Sequence, residues 1–316
     1  MEPTASHDMN EPHVFLRFAG RLWEDMTFER EAGWETERIA DRPKEGSGEY
    51  VLELVDHESR PRIAVSPDVD FDRATTYPQS GMRNTRVVAY IPFDRGGTEL
   101  VFRRGDRVID RTDVAPEPPQ IAITDLDRRD NDRVRIHWRA ERRSEQPLTY
   151  RVVYLVDDSR AFLLASGLDA PSFTADLSGL PGTKAGRLSV LATDGVRSSF
   201  AVSDPFPVSD KAPQISIHSP MDGQVIPADQ PVNLNGQATD VAGASLARDG
   251  LIWLVDGKVV DNGTTLALAT DLEPGEHTVS LRYRPGRRIE AEASVVIKVA
   301  KRSPEQEAFR EAMATD

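Results

Sequence analysis

No apolar run in the chain is longer than five residues; VVAYI (87–91) and LIWLV (251–255) are among the longest. The 22 Pro and 21 Gly are spread along the whole length, so apolar stretches are cut at strand-like rather than helix-like intervals. Within the stretches, apolar residues recur at every second position. RVRIHWRA (133–140) alternates Val134, Ile136 and Trp138, and LTYRVVYLV (148–156) alternates Tyr150, Val152 and Tyr154. A period of two sends alternate side chains to opposite faces of a sheet. Runs this short also fall well below the roughly 20 apolar residues that a membrane-spanning helix needs. The expectation is an all-β chain.

Two proline-rich joints divide it. DVAPEPPQIAI (113–123) and SDKAPQISI (209–217) share one form: a polar linker, Pro, then an alternating strand, with Ile121/Ile123 in one and Ile215/Ile217 in the other. Proline fixes φ, so semi-rigid connections are expected. A second similarity lies inside the pieces. LPGTKAGRLSVLATDG (180–195) and LEPGEHTVSLRYRPG (272–286) both run from Leu through a Pro-Gly turn into alternation, and GGTELVFRRGDRVI (96–109) is a weaker third copy. Their spacing of roughly 90 residues is the size of one immunoglobulin-like sandwich.

The middle piece resembles the fibronectin type III pattern. Trp138 on an early strand faces the Tyr-rich strand that follows, and Leu180 precedes Leu188, Val190 and Ala192 at the spacing of that family. The pattern is broken at Gly186, where the family's corner tyrosine would fall, so a looser start to that strand is expected. The last piece resembles bacterial Ig-like or PKD-like repeats in SPMDG (219–223), VNLNGQATD (232–240), Trp253 followed by VDGK, and LEPGEHTVSL (272–281). The first piece alternates in YVLELVD, PRIAV and RVVAYIPF. The resulting expectation is three tandem immunoglobulin-like/fibronectin III-like β-sandwiches with a short C-terminal helix. The boundaries are a disordered segment over 1–12, a sandwich over 13–114, a fibronectin III-like module over 115–210, a bacterial Ig/PKD-like module over 211–301 and a helix or tail over 302–316. Ser303, Pro304 and Gln306 supply the start signals of that helix.

The formal net charge of −13 argues against a nucleic-acid partner, which calls for a basic face. Cysteine is absent, which removes disulfides and thiolate chemistry. The first residues lack a basic and an apolar stretch of the signal-peptide kind, so a native start at Met1 would mean the cytoplasm, and a start further upstream would leave room for a signal. The six histidines are scattered, and no HExxH, GxSxG or phosphate-binding glycine loop occurs.

His277, beside Glu276 and near Glu273, reads as a structural histidine following a turn, on the same strand face as Val279 and Leu281. The stretch from His7 to His13 could chelate a stray metal only weakly, and calcium is the leading candidate ion. Asp68, Asp70 and Asp72 alternate like the opening of a calcium loop, although Arg73 and Gln79 stand where its Gly and Glu belong. A second acidic cluster, Asp125, Asp127, Asp130 and Asp132, lies next to the first joint, and Asp240 sits in a loop of the last module. The competing reading is turn duty, which suits Asp well. Arg104-Gly105-Asp106 reads as a hairpin turn, and Phe18, Trp23, Phe28 and Trp34 as core, with a sugar- or peptide-binding face of the first module as the alternative.

The resemblances imply a non-catalytic spacer, adhesion or protein-interaction region of a bacterial extracellular or envelope protein. Its partner would be a protein or glycan, or an upstream domain of the same polypeptide, with no cofactor and no membrane insertion. The alternatives are an accessory region of a secreted peptidase or glycosidase whose catalytic domain lies upstream, and a calcium-dependent adhesin or filament subunit.

Overall fold

The computed structural model describes residues 14–37, 39, 48–71, 75–76, 82–128, 130, 132–228, 230–283, 290–301 and 304. The expected N-terminal segment, Asp72 and all of the C-terminal helix but Pro304 lie outside the described residues. Nearly everything described is strand or tight turn.

Residues 14–114 supply β1 (Phe15–Trp23), β2 (Phe28–Glu31), β3 (Glu35–Thr36), β4 (Tyr50–Val55), β5 (Pro61–Val65), β6 (Thr75–Thr76), β7 (Arg83–Pro92), β8 (Glu99–Arg104) and β9 (Arg107–Asp113). One sheet runs β2-β1-β7-β6, with β3 also on β1; the other runs β5-β4-β8-β9. The alternation explains the layering. Leu16, Phe18 and Leu22 of β1 and Val87, Ala89 and Ile91 of β7 meet Leu52 and Leu54 of β4 and Leu100 and Phe102 of β8 in one core. The β4 strand is buried on both faces, and its Glu53 survives burial because Arg103 donates to both carboxylate oxygens at 2.6 and 2.9 Å. Gly105-Asp106 closes the β8–β9 hairpin, with Gly105 at φ +54°.

Residues 120–208 supply β10 (Gln120–Arg128), β11 (Arg133–Glu141), β12 (Thr149–Leu155), β13 (Ala161–Leu168), β14 (Ser172–Asp176), β15 (Thr183–Thr193), β16 (Ser198–Val202) and β17 (Phe206–Val208). The sheets run β10-β11-β14 and β13-β12-β15-β16, with β17 also on β15. Val134, Ile136 and Trp138 are buried on one side, and Tyr150, Val152, Tyr154, Leu188 and Val190 on the other. The Trp138 and Tyr150 rings meet edge-on at 5.2 Å. The start of β15 is irregular, its register against β17 shifting between Thr183 and Gly186. The strand begins three residues earlier, at Thr183, and Gly186 pairs with Phe206.

Residues 214–299 supply β18 (Gln214–Ser219), β19 (Val225–Ile226), β20 (Val232–Thr239), β21 (Leu251–Val255), β22 (Lys258–Asn262), β23 (Leu266–Ala269), β24 (Gly275–Tyr283) and β25 (Ala291–Val299). The sheets run β18-β20-β23 and β19-β25-β24-β21-β22 around a core centred on the fully buried Trp253.

The chain forms two compact units. The first comprises 1–129, 134–175 and 187–205; the second comprises 130–133, 176–186 and 206–316. The first joint, at 113–123, therefore lies inside one unit. The contacts there are the reason.

Candidate functional site

The β15–β16 hairpin turn, Asp194 to Arg197, is built by its own sequence. Asp194 is buried, and its Oδ1 accepts the backbone N–H groups of Val196 (3.1 Å) and Arg197 (2.8 Å), while Gly195 takes φ +98°. The turn thereby presents Val196 and Arg197 toward residues 14–114. Val196 joins the hydrophobic core of that first pair of sheets. Arg197 is only 5% exposed. Its Nε donates to Glu35, and its Nη1 donates to the carbonyls of Ala115 (2.9 Å) and Pro116 (3.2 Å), so it holds the linker by its backbone. Its guanidinium also lies 4.1 Å above the centre of the Phe93 ring.

A backbone bridge completes the joint. Gly33 N–H donates to the Gly195 carbonyl at 2.8 Å, the Thr193 hydroxyl donates to the Gly33 carbonyl at 2.6 Å, and Glu35 N–H donates to Ser198 Oγ at 2.9 Å. Trp34, expected in the core, instead lies between two guanidinium groups, Arg17 at 4.2 Å and Arg151 at 4.3 Å from its ring centre. Burial and the nearby Arg17 charge both push the Arg151 pKa down, and the π faces of Trp34 offset part of that cost. Phe18 and Phe28 follow the core expectation, stacked at 5.2 Å.

Gly33 can be nothing larger. A Cβ there would stand 2.2 Å from the Arg17 carbonyl oxygen and 2.7 Å from that of Gly195. Gly33→Ala is expected to break the bridge while leaving the two pairs of sheets folded. The reading is amide hydrogen exchange, in which the Gly33 and Thr193–Ser198 amides lose protection and those of β4 and β8 keep it.

The calcium candidates among the described residues lie on separate elements. Asp68 is exposed and Asp70 half-buried in the loop after β5, and Asp125 and Asp127 lie along β10. Asp130 Oδ1 accepts the N–H groups of Asp132 (2.8 Å) and Arg133 (2.7 Å), and Asp132 is paired with Lys211. Asp240 likewise caps a loop, accepting from Ala242 and Ala244 at 2.9 Å each. Among the described residues, no three metal-binding side chains gather.

His277 has a partner that the sequence did not suggest. Its Nδ1 is 2.7 Å from Asp256 Oδ2, and its Nε2 is 2.7 Å from the Glu273 carbonyl. Asp256 and Gly257 form the β21–β22 turn with φ of +49° and +76°, and Asp256 Oδ1 also accepts Thr278 N–H. Two acceptors facing one imidazole favour the doubly protonated ring. The Glu273 carbonyl raises its pKa, burial opposes that, and the Asp256 carboxylate adds to the rise. With neither ring nitrogen left over, the group clamps a turn and has no lone pair for a base. A raised folded pKa means that its contribution is complete below the unfolded value of about 6.5 and is lost as pH rises through the folded value. The thermal midpoint of the second unit is therefore expected to decline over that pH range in the native chain and to change less in His277→Gln.

The first unit also carries two grooves, of about 540 and 590 Å³, either side of Phe200 on β16. One is lined by 117–122 with Arg139 and Glu141, the other by Val14, 35–37 and Leu191; Ser199 and Phe200 belong to both.

No protein-family model and no curated protein matches the chain. Among solved structures, the fibronectin(III)-like modules of Clostridium thermocellum CbhA are similar over 58% of this chain and 95% of that one, with 20% identity and a TM-score of 0.26. The FN1–FN3 domains of chicken CNTN1 are similar over 59% of this chain and 68% of that one, with 14% identity and a TM-score of 0.33. A two-domain fibronectin type III segment of chicken tenascin is similar over 58% of this chain and 99% of that one, with 14% identity and a TM-score of 0.24. At such TM-scores the fold is read from this chain's own sheets and cores.

Proposed function

We propose that the chain is a non-catalytic run of β-sandwich modules that holds attached parts at a fixed distance and angle, in the extracellular or envelope setting that its sequence resemblances imply. The observation that carries this reading is the Arg197 clasp. A flexible tether needs no buried guanidinium on its linker carbonyls, whereas a spacer that sets orientation does.

The chain lacks cysteine, so spin labels can be placed at will. Labels at Val88→Cys and Leu163→Cys, both exposed, report the distance between residues 14–114 and 115–205. A single narrow distance distribution, broadened in Gly33→Ala, is the expected outcome. A distribution already broad in the otherwise native chain would sink the spacer reading.

A further inference from the structure

We propose that β16 and the grooves beside it form a docking site for an extended, basic segment of a partner protein, seated along the open edge of that strand. The spacer reading is carried by Arg197 and the linker carbonyls; the two readings share Glu35 and Ser198 at one end of the strand.

The backbone supplies the first argument. Ser203 N–H donates to the Leu188 carbonyl at 2.9 Å, and Asp194 N–H donates to the Arg197 carbonyl at 3.2 Å. In an antiparallel ladder, bonded pairs alternate with unbonded ones, so the register makes Thr193↔Ser198, Leu191↔Phe200 and Ser189↔Val202 the unbonded pairs. The N–H and C=O groups of Ser198, Phe200 and Val202 therefore point away from β15. Ser198 bears this out, since its N–H reaches the Glu35 carboxylate at 3.3 Å. No strand of the described residues bonds to that side of β16, the last strand of its sheet.

The second argument is the side chains. Edge strands are ordinarily guarded by charge, Pro or a bulge. The sequence SSFAV has no charge and no Pro, and it leaves Phe200 69% and Val202 38% exposed.

The third argument is charge. Glu37 borders one groove, and Glu117 and Glu141 border the other. Arg139 in the lining offsets Glu141, paired with it at 3.2 Å. Arg143 stands 3.9 Å from Glu117, which stays 71% exposed, so Glu37 and Glu117 are the carboxylates open to a partner. A segment with apolar residues beside Phe200 and Arg or Lys toward these carboxylates complements both the backbone and the field.

The test is selection of short random peptides displayed on phage, run against the native chain and against Phe200→Thr. A selected peptide is then titrated by NMR. The expected result is enrichment of Arg or Lys at alternate positions, loss of enrichment on Phe200→Thr, and shift changes confined to β16 and its grooves. Paired Glu37→Lys and Glu117→Lys substitutions should weaken binding by about tenfold or more. Val202→Pro removes only an outward-facing N–H and should weaken it too, with the unfolding midpoint unchanged. The proposal is overturned if no peptide is recovered, if those recovered are not basic, or if the shifts map elsewhere. It is equally overturned if maltoheptaose shifts the same residues and Val202→Pro leaves that binding unchanged, which would mark a glycan site.

Discussion

Arg197→Ala is expected to lower the unfolding midpoint of the first unit by roughly 10 °C. The substitution removes a guanidinium whose side chain is 6% exposed and strands Glu35, itself only 18% exposed, together with the Ala115 and Pro116 carbonyls. Breaking a buried ion pair from one side typically costs about 3–5 kcal/mol, because the remaining charge stays buried. A domain of this size loses about 2–4 °C per kcal/mol. Lysine is not a conservative replacement here. One ammonium cannot reach a carboxylate and two carbonyls at the fixed angles of the guanidinium fork while covering the Phe93 ring. Arg197→Lys should therefore fall nearer Ala than the native chain. Removing the stranded charge as well, in Arg197→Met with Glu35→Gln, should recover part of the loss. Calorimetry of the four proteins checks this. A midpoint in Arg197→Ala within a degree or two of the native one would mean that the clasp contributes nothing net.

Much of the fold was legible because β patterning is local. Val134/Ile136/Trp138 and Tyr150/Val152/Tyr154 face inward as their period of two requires, and the turns at Gly105 and at Asp256-Gly257 lie where Gly and Asp predict them. The joint was not legible. Glu35 and Arg197 are 162 residues apart, and neither sits in a pattern that names the other. The proline-rich linker suggested restraint, but the restraint comes from a turn in the next module rather than from the prolines.

Trp34 was assigned to the core on residue type alone. The signal against this was its setting, EAGWETE, in which the residues two away are only the small Ala32 and the polar Thr36. The partner of His277 was hidden for a different reason. Asp256 lies in one recognisable turn and His277 just after another, and only the pairing of β21 with β24, Val255 opposite Val279, brings the two together. The aspartate clusters show the converse. In the second acidic cluster and in the last module, Asp130 and Asp240 cap turns and Asp132 holds Lys211.

Phe102→Ala should match Arg197→Ala in size while acting by another route. Phe102 is fully buried and touches three rings, with Phe18 and Phe28 at 5.4 Å and Tyr50 at 6.1 Å between centroids. Truncating such a residue costs about 3–5 kcal/mol through lost burial and the cavity left behind, and aromatic pairs add about 0.5–1.5 kcal/mol. Which transition moves matters more than how far. Val196, from the turn after β15, packs in the same core as Phe102, and Arg197 beside it holds the linker. If residues 14–114 unfolded alone, Phe102→Ala would shift a transition that leaves the Trp138 signal unchanged. A shared core residue and a shared clasp require both pairs of sheets in the first unit to melt together. Loss of the Trp138 environment should then track loss of β4 and β8 amide protection in Phe102→Ala, at one lowered midpoint. Two separated midpoints would show that the 113–123 joint, for all its bonds, does not couple the modules it connects.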